Sequence, residues 1–328
     1  MKLPQFTHCP GTLAEGFSGF SRTALNRVFQ GKKVSPILPY DSPDFIIGNT
    51  REFDENRKHI SISGVQEKYS VLLEKNKLRL TQKGEQGTYI LKPIPSAGKR
   101  RNQMPANEHV TMQLARQVYG IETAENALLF FQDGSPAYIT KRFDVKADGT
   151  KWAQDNMASL AQRTPQSHGD HYKYLGNYQE LFVLLQRHLP SYKTEAPKLF
   201  KLLLFNFLFS NGDAHLKNFS ILETSFGDYR LSPAYDLLNS RIHVEDNKFA
   251  LEDGLLPKNL SKGKIGVQFA KLAELAGISP KIFKDSMTLM LSKSESVEKL
   301  VAASFLDSST KRSYIQLYQG RLKELKKG

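Results

Sequence analysis

The sequence has very little cysteine and no long apolar run. Cys9 is the single cysteine among 328 residues, so it cannot form an intramolecular disulfide, and a zinc site built from several cysteines is excluded. The most apolar stretch, around 202–209, is interrupted by Asn206 and is far shorter than the ~20 residues that span a bilayer. The first residues, MKLPQFTHCPG, lack the apolar core of a secretory signal. We therefore expect a cytoplasmic protein without membrane contact.

Acidic residues are also scarce relative to basic ones. There are 33 Asp and Glu against 46 Lys and Arg, a formal net charge of +13. Such an excess favours a polyanionic partner, either nucleic acid or an acidic protein surface. Because the basic residues are scattered, with small clusters in AGKRRNQ and RLKELKKG, a merely soluble basic protein remains the simpler alternative.

The pattern of apolar residues divides the chain into a β-rich part and a helical part. Strands are predicted in HISISGV, KYSVLLEKN, KLRLTQ and TYILKP, then a helix in ANEHVTMQLARQVYG and a hairpin formed by ENALLFFQ and PAYITKRFD. A polar, irregular connector follows from about residue 146. Six helices are then predicted, along with a strand pair in NFSILET and DYRLSPAY. The order predicts an α+β, two-lobed fold of the protein-kinase kind, with a β-rich lobe at 1–147 and a mainly helical lobe at 148–328.

The segment FSNGDAHLKNFSIL, residues 209–222, carries the strongest chemical signal. Asp213 and Asn218 are five positions apart, which is the spacing of the kinase catalytic loop, where the Asp takes the proton of the attacking hydroxyl and the Asn holds Mg²⁺. Asp236, in LSPAYDLL, is the candidate for the second metal ligand. The simpler interpretation is a polar turn, since Ser, Asn, Gly and Asp favour turns for backbone reasons alone.

Two further residues of this segment have open roles. Lys217 either balances the charge of a γ-phosphate or is a solvated loop lysine. His215 either has a structural role, the commoner case for a lone histidine, or contacts phosphate.

The β-rich part offers a nucleotide lysine. Lys92 ends the fourth predicted strand, whereas the kinase lysine lies on the third, where it contacts the phosphates and pairs with a helix Glu. Glu108, near the start of the predicted helix, is either that partner or an acid favoured in a helix first turn.

A phosphate-binding loop is expected ahead of Lys92. SISGVQEKYS lies in that position but has one glycine, so it does not match G-x-G-x-x-G. Its backbone amides at Gly64 and Val65, with the side chains of Ser61, Ser63 and Lys68, could still hold phosphate.

Together these motifs resemble a family. SISGVQEKYSVLL, YILKP, NEHVTMQLA, ITKRFDV, SNGDAHLKNFSIL and LSPAYDLLNS are similar to the HipA-like serine/threonine kinases, toxins of bacterial toxin–antitoxin systems. The resemblance implies that ATP and Mg²⁺ are the cofactors, that Asp213 is catalytic, that Asn218 and Asp236 bind Mg²⁺, and that Lys92 contacts the nucleotide.

The resemblance also implies further site residues. Residues 141–143 match the hinge that holds adenine, so Lys141 and Phe143 are candidate contacts, although Lys141 replaces an acidic residue of the family pattern. Ser61 matches the loop serine that such kinases autophosphorylate, and Ser63 adds a second hydroxyl, as in the short HipT-type members.

Partners follow from the same resemblance. Only 60 residues precede Ser61, which leaves little room for the N-terminal subdomain of larger HipA proteins. We therefore expect a separate HipS-like protein, a HipB-like antitoxin that mediates any DNA contact, and an aminoacyl-tRNA synthetase substrate, free or bound to tRNA.

Two other functions remain open. A small-molecule phosphotransferase of the aminoglycoside-kinase type uses the same Asp and Asn spacing. A basic nucleic-acid-binding module would show salt-sensitive binding that does not depend on Asp213 or Asp236, but it leaves the ordered set of kinase-like residues unexplained.

Overall fold

A computed structural model describes residues 5–43, 67–245 and 247–327. The chain forms two compact units, described separately below. The first comprises Met1–Gln113, Ala124–Thr150 and Lys299–Lys311, and the second comprises Leu114–Thr123, Lys151–Glu298 and Arg312–Gly328. Each unit is thus assembled from separate chain segments, whereas the sequence predicts one boundary between 147 and 148. That division into domains stays a prediction.

The first unit contains a five-stranded antiparallel sheet. Its strands are β1 (Tyr69–Glu74), β2 (Lys77–Leu80), β3 (Tyr89–Lys92), β4 (Asn126–Phe130) and β5 (Pro136–Lys141), in the order β2-β1-β3-β5-β4. These strands confirm the predictions made for this part of the chain, including the hairpin that joins β4 and β5. The predicted strand in HISISGV lies outside the described residues.

Two helices accompany this sheet in the chain. Helix α1 (Arg22–Phe29) is capped by Ser21, whose side chain accepts a hydrogen bond from the Ala24 amide. Phe29 belongs to the same buried cluster as residues of the sheet, so α1 covers one sheet face. Helix α2 (Met104–Gln117) begins two residues before the predicted segment. Pro105 is tolerated there because the amides of a helix first turn have no partner within the helix.

The second unit contains a smaller antiparallel sheet. Strands β6 (Gln154–Asn156), β7 (Ser220–Glu223) and β8 (Tyr229–Leu231) lie in the order β6-β7-β8. The β7–β8 pair confirms the sequence prediction. The prediction of a wholly irregular connector was wrong, because β6 and the short helices α3 (Met157–Leu160) and α4 (Pro165–His168) lie within it. These elements are too short and polar to show a period, and β6 is defined by its pairing with β7.

Six helices occupy the predicted positions in the rest of the chain. They are α5 (Gln179–His188), α6 (Tyr192–Leu208), α7 (Ile265–Leu275), α8 (Pro280–Leu291), α9 (Ser294–Ala302) and α10 (Ser308–Lys326). Helix α6 is buried along most of its length, as its apolar sequence predicts. Just beyond α6, the ring of Phe209 stacks on Phe205 at 4.4 Å and on Tyr318 at 5.2 Å. No described helix is long and apolar enough to cross a membrane.

Candidate active site

The loop that carries Asp213 leaves the C-terminal end of α6 with its backbone held by buried hydrogen bonds. Ser210 takes the left-handed conformation, with φ of 52°. The Ser240 hydroxyl accepts a hydrogen bond from the Gly212 amide at 2.8 Å and donates one to the Ser210 carbonyl at 3.0 Å. Asp213 itself is exposed. The result is an accessible carboxylate on a loop whose backbone is fixed.

The structure brings Asn218 and Asp236 together, as the catalytic-loop interpretation requires. The Asn218 side-chain amide donates to Asp236 Oδ2 at 3.2 Å, and its oxygen accepts from the His215 amide at 3.1 Å. Asp236 has a φ of 55°, a conformation uncommon for a residue other than glycine. Backbone strain of this kind is frequent at functional sites.

The side chains of this pair fit a magnesium ion. Mg²⁺ prefers oxygen ligands and is commonly held by one or two protein carboxylates together with substrate phosphates. Asp236 would supply a carboxylate oxygen. Asn218 would supply its amide oxygen, which accepts a hydrogen bond from the His215 amide and has two lone pairs. In the described ranges no group of three or more His, Cys, Asp or Glu residues could hold a metal ion by itself. Phosphate oxygens and water would complete the coordination of a Mg²⁺ ion held by this pair.

Asp213 has a neighbour that the sequence did not reveal. The Tyr174 hydroxyl donates a hydrogen bond to Asp213 Oδ1 at 2.8 Å. Tyr174 ends a short 3-10 helix, Tyr172–Tyr174, in the connector that precedes α5. No spacing rule links it to Asp213, 39 positions later in the chain, so the sequence carried no signal for this contact.

His215 is buried beside the same tyrosine. Its ring meets the Tyr174 ring edge-on, with centroids 5.2 Å apart. Burial, reinforced by the charge of nearby Lys173, lowers the pKa of His215 to about 3. The imidazole is therefore neutral at physiological pH and brings no positive charge to a phosphate. A phosphate contact by His215 stays a prediction.

Two tyrosines support the backbone of the loop around Lys217. The Tyr235 hydroxyl donates to the Lys217 carbonyl at 2.8 Å, and the Tyr178 hydroxyl donates to the Ala214 carbonyl at 2.8 Å. Tyr235 immediately precedes Asp236 in the chain. The loop segments that carry the two candidate metal ligands are thus joined to each other by a second hydrogen bond.

In the first unit, Lys92 and Glu108 form a buried ion pair. Lys92 Nζ lies 2.6 Å from Glu108 Oε1, and the two side chains are 5% and 2% exposed. Lys92 ends β3, the third of the described strands, and its ammonium lies 5.4 Å from the centre of the Tyr138 ring. Because α2 begins at Met104, Glu108 lies beyond the first turn. The ion pair with Lys92, and not the helix dipole, therefore explains why an acidic residue lies at position 108.

The proposed hinge lies at the end of β5. The Lys141 amide donates to the Glu125 carbonyl at 2.7 Å, and the Arg142 guanidinium pairs with the Asp144 carboxylate. Phe143, between them, is partly buried. Contacts of Lys141 and Phe143 with adenine stay predictions. Lys68 is partly buried just ahead of β1, and the predicted loop residues Ser61, Ser63, Gly64 and Val65 lie outside the described residues.

Comparison with protein families and curated proteins gives consistent results. The family model described as HipA-like C-terminal domain matches residues 60–298. A Haemophilus influenzae protein named "Putative kinase" is 24% identical over 94% of this chain and 93% of its own length. Y4dM of Sinorhizobium fredii, described in the same words, is 28% identical over 75% of this chain, which spans only 56% of Y4dM.

Two solved structures resemble the fold. The HipA toxin of Shewanella oneidensis, in a complex with HipB and its operator DNA, matches 82% of this chain and 65% of its own chain, with a TM-score of 0.61 and 19% identity. The Helicobacter pylori proinflammatory kinase CtkA matches 78% of this chain and 92% of its own, with a TM-score of 0.52 and 14% identity. At these identities the similarity concerns the mixed α/β fold.

Proposed function

Because the chain belongs to the HipA-like C-terminal domain family, we propose that it is an ATP-dependent serine/threonine protein kinase and the toxin of a bacterial toxin–antitoxin system. The contact between Asn218 and Asp236 carries the proposal. It brings together two polar residues that are 18 positions apart in the chain, and Asn218 follows Asp213 at the spacing of a kinase catalytic loop.

In the proposed reaction, Asp213 accepts the proton of a serine or threonine hydroxyl. The hydroxyl oxygen forms a bond to the γ-phosphorus of ATP as the bond to the ADP oxygen breaks. Asn218 and Asp236 would hold Mg²⁺, which neutralises charge on the phosphates. Lys92, oriented by its ion pair with Glu108, contacts the phosphates, and Lys217 is a second candidate to balance their charge.

The SISGVQEKYS segment is the proposed site of self-regulation. The Gly64 and Val65 amides hold phosphate, and residues 141–143 hold adenine. Autophosphorylation at Ser61, Ser63 or both would add about −1.5 to −2 charges at each modified site. That charge would repel the triphosphate and lower ATP affinity, and the short HipT-type members supply the model for the double serine.

The proposed partners are inferred from the same family. The Shewanella HipA structure contains HipB and operator DNA, which supports a HipB-like antitoxin through which this chain would contact DNA. A HipS-like protein is proposed as a second partner and an aminoacyl-tRNA synthetase as the substrate. These remain proposals, since the chain spans only 56–63% of two curated relatives.

Phosphoproteomics of cells that briefly express the wild type or Asp213→Asn tests the proposal. We expect new phosphoserine or phosphothreonine on a cellular protein, with a synthetase as the leading candidate, in the wild type alone. Purified protein that phosphorylates aminoglycosides or other small alcohols but no protein would instead establish the small-molecule phosphotransferase.

A further inference from the structure

We propose that Tyr174 is a positioning residue for phosphoryl transfer. Its hydroxyl holds one oxygen of the Asp213 carboxylate and so orients the carboxylate that accepts the proton of the attacking hydroxyl. This inference rests on the proposed kinase activity, and the experiment below separates the failure of one from the failure of the other.

The first argument is that Tyr174 contacts the catalytic loop at two points. Its hydroxyl lies 2.8 Å from Asp213 Oδ1, and its ring packs edge-on against His215 at 5.2 Å. The ring contact fixes where the phenol lies, and the hydroxyl then fixes one oxygen of the carboxylate. Asp213 is exposed, and a hydrogen bond to one oxygen restricts rotation of an exposed carboxylate about its side-chain bonds.

The second argument is that the segment carrying Tyr174 is itself anchored. The Tyr174 carbonyl accepts a hydrogen bond from the Glu252 amide at 2.9 Å, and the Gly176 carbonyl accepts one from the Asp253 amide at 3.0 Å. Between them, the Leu175 carbonyl accepts from the Arg163 guanidinium at 2.7 Å. These three hydrogen bonds to three successive residues hold the segment in place. Tyr174 is therefore held at a fixed position, which favours a role in orienting Asp213 over one in covering the site.

The chemistry of the two groups sets their roles. A phenol hydroxyl donates and an ionised carboxylate can only accept, so Tyr174 donates to Asp213. Hydrogen bonds to ionised acceptors are stronger and more directional than neutral ones. The proton from the attacking hydroxyl goes to the Asp213 carboxylate, and Tyr174 keeps its own proton.

The matched variants are Tyr174→Phe and Tyr172→Phe. Tyr174→Phe keeps the ring and removes the hydroxyl. Tyr172→Phe removes another hydroxyl from the same 3-10 helix. We measure kcat, the KM for ATP, ATP affinity by calorimetry and the melting temperature of each purified full-length variant.

We expect Tyr174→Phe to lower kcat about 10- to 100-fold, the range for losing one hydrogen bond to a charged group. ATP affinity, the KM for ATP and the melting temperature should stay near wild type, and Tyr172→Phe should behave as wild type throughout. A residue with only a structural role would change melting temperature and ATP affinity as well. An unchanged kcat in Tyr174→Phe would overturn the proposal. A higher kcat would also overturn it, because it would show that Tyr174 obstructs the site.

A double variant completes the test. If Tyr174 acts through Asp213, adding Tyr174→Phe to Asp213→Asn should cause no further loss of the residual transfer rate. A multiplicative loss would contradict action through Asp213. A wild-type protein that transfers no phosphate to itself or to any cellular protein would refute the proposed function and this inference together, whereas an active wild type with an equally active Tyr174→Phe refutes the inference alone.

Discussion

At the scale of single residues, Asp236 combines an unusual backbone with a proposed chemical role. Its φ of 55° is tolerated best by glycine, asparagine and aspartate. Asp236→Asn therefore keeps both the shape and the backbone preference while removing the charge. We expect this variant to retain its melting temperature and to lose at least about 100-fold in transfer rate, because phosphoryl transfer depends on metal-held phosphates.

The control for this variant is Asp155→Asn, which neutralises an exposed acid on β6 and should leave transfer unchanged. The measurement is phosphate transfer at saturating magnesium together with thermal unfolding. Wild-type rates in Asp236→Asn would remove Asp236 from the metal site.

Ser240 is a residue whose importance only the structure reveals. Its buried hydroxyl joins the Gly212 amide to the Ser210 carbonyl. Ser240→Ala removes this partner from the Gly212 amide, whereas the Ser210 carbonyl keeps the bond from the Ser240 amide at 3.2 Å. An unsatisfied buried group costs about 1–3 kcal/mol. We expect denaturant unfolding to show a loss of that size and kcat to fall, because Asp213 lies next to Gly212. Ser292→Ala, at an exposed serine after α8, is the control, and equal stability of the two variants would contradict the expectation.

At the scale of elements, the ion pair of Lys92 and Glu108 joins the end of β3 to α2. Removing one partner of a buried pair costs about 3–5 kcal/mol, whereas replacing both by apolar residues of similar volume is often neutral or stabilising. We expect Lys92→Met and Glu108→Gln to destabilise the protein, and Lys92→Met with Glu108→Leu to regain most of the lost stability.

ATP binding should not follow the same pattern. If Lys92 contacts the phosphates, the double variant should be stable yet bind ATP weakly by calorimetry. Recovery of both stability and ATP affinity would return Lys92 to a purely structural role, and a double variant less stable than either single one would contradict the account of the pair.

The elements also show how far the sequence alone could lead. Strands such as β3 and helices such as α6 are confirmed because alternation and continuous apolarity are local signals. Strand β6 was missed because its three polar residues become a strand through pairing with β7. The meeting of Asn218 and Asp236 was anticipated from a motif. The contact of Tyr174 with Asp213 was not, because it depends on where an irregular connector lies in space.

At the scale of the whole molecule, charge and the candidate site are separable properties. The net charge of +13 belongs to the entire chain, whereas the proposed chemistry depends on a few side chains. Excess Lys and Arg produce binding to nucleic acid through phosphate contacts, with little dependence on sequence. The two hypotheses, a basic nucleic-acid-binding module and a kinase, can therefore be distinguished by variants that change DNA binding and variants that change phosphate transfer.

We expect the isolated protein to bind double-stranded DNA weakly and without sequence preference, with an affinity that falls linearly on a logarithmic plot against salt. Each phosphate contact contributes a slope of about −0.9.

Replacing the exposed Lys99 and Arg100 by glutamine should make the slope shallower by at most about 2 and leave kinase activity unchanged. Asp236→Asn should lower the transfer rate strongly and leave the slope as it is, because the half-buried acid Asp236 makes no phosphate contact with DNA. Fluorescence anisotropy between about 50 and 200 mM salt gives the slopes. Sequence-specific binding by the isolated chain would show that DNA recognition does not require an antitoxin. A loss of DNA affinity in Asp236→Asn would show that the two properties share one site.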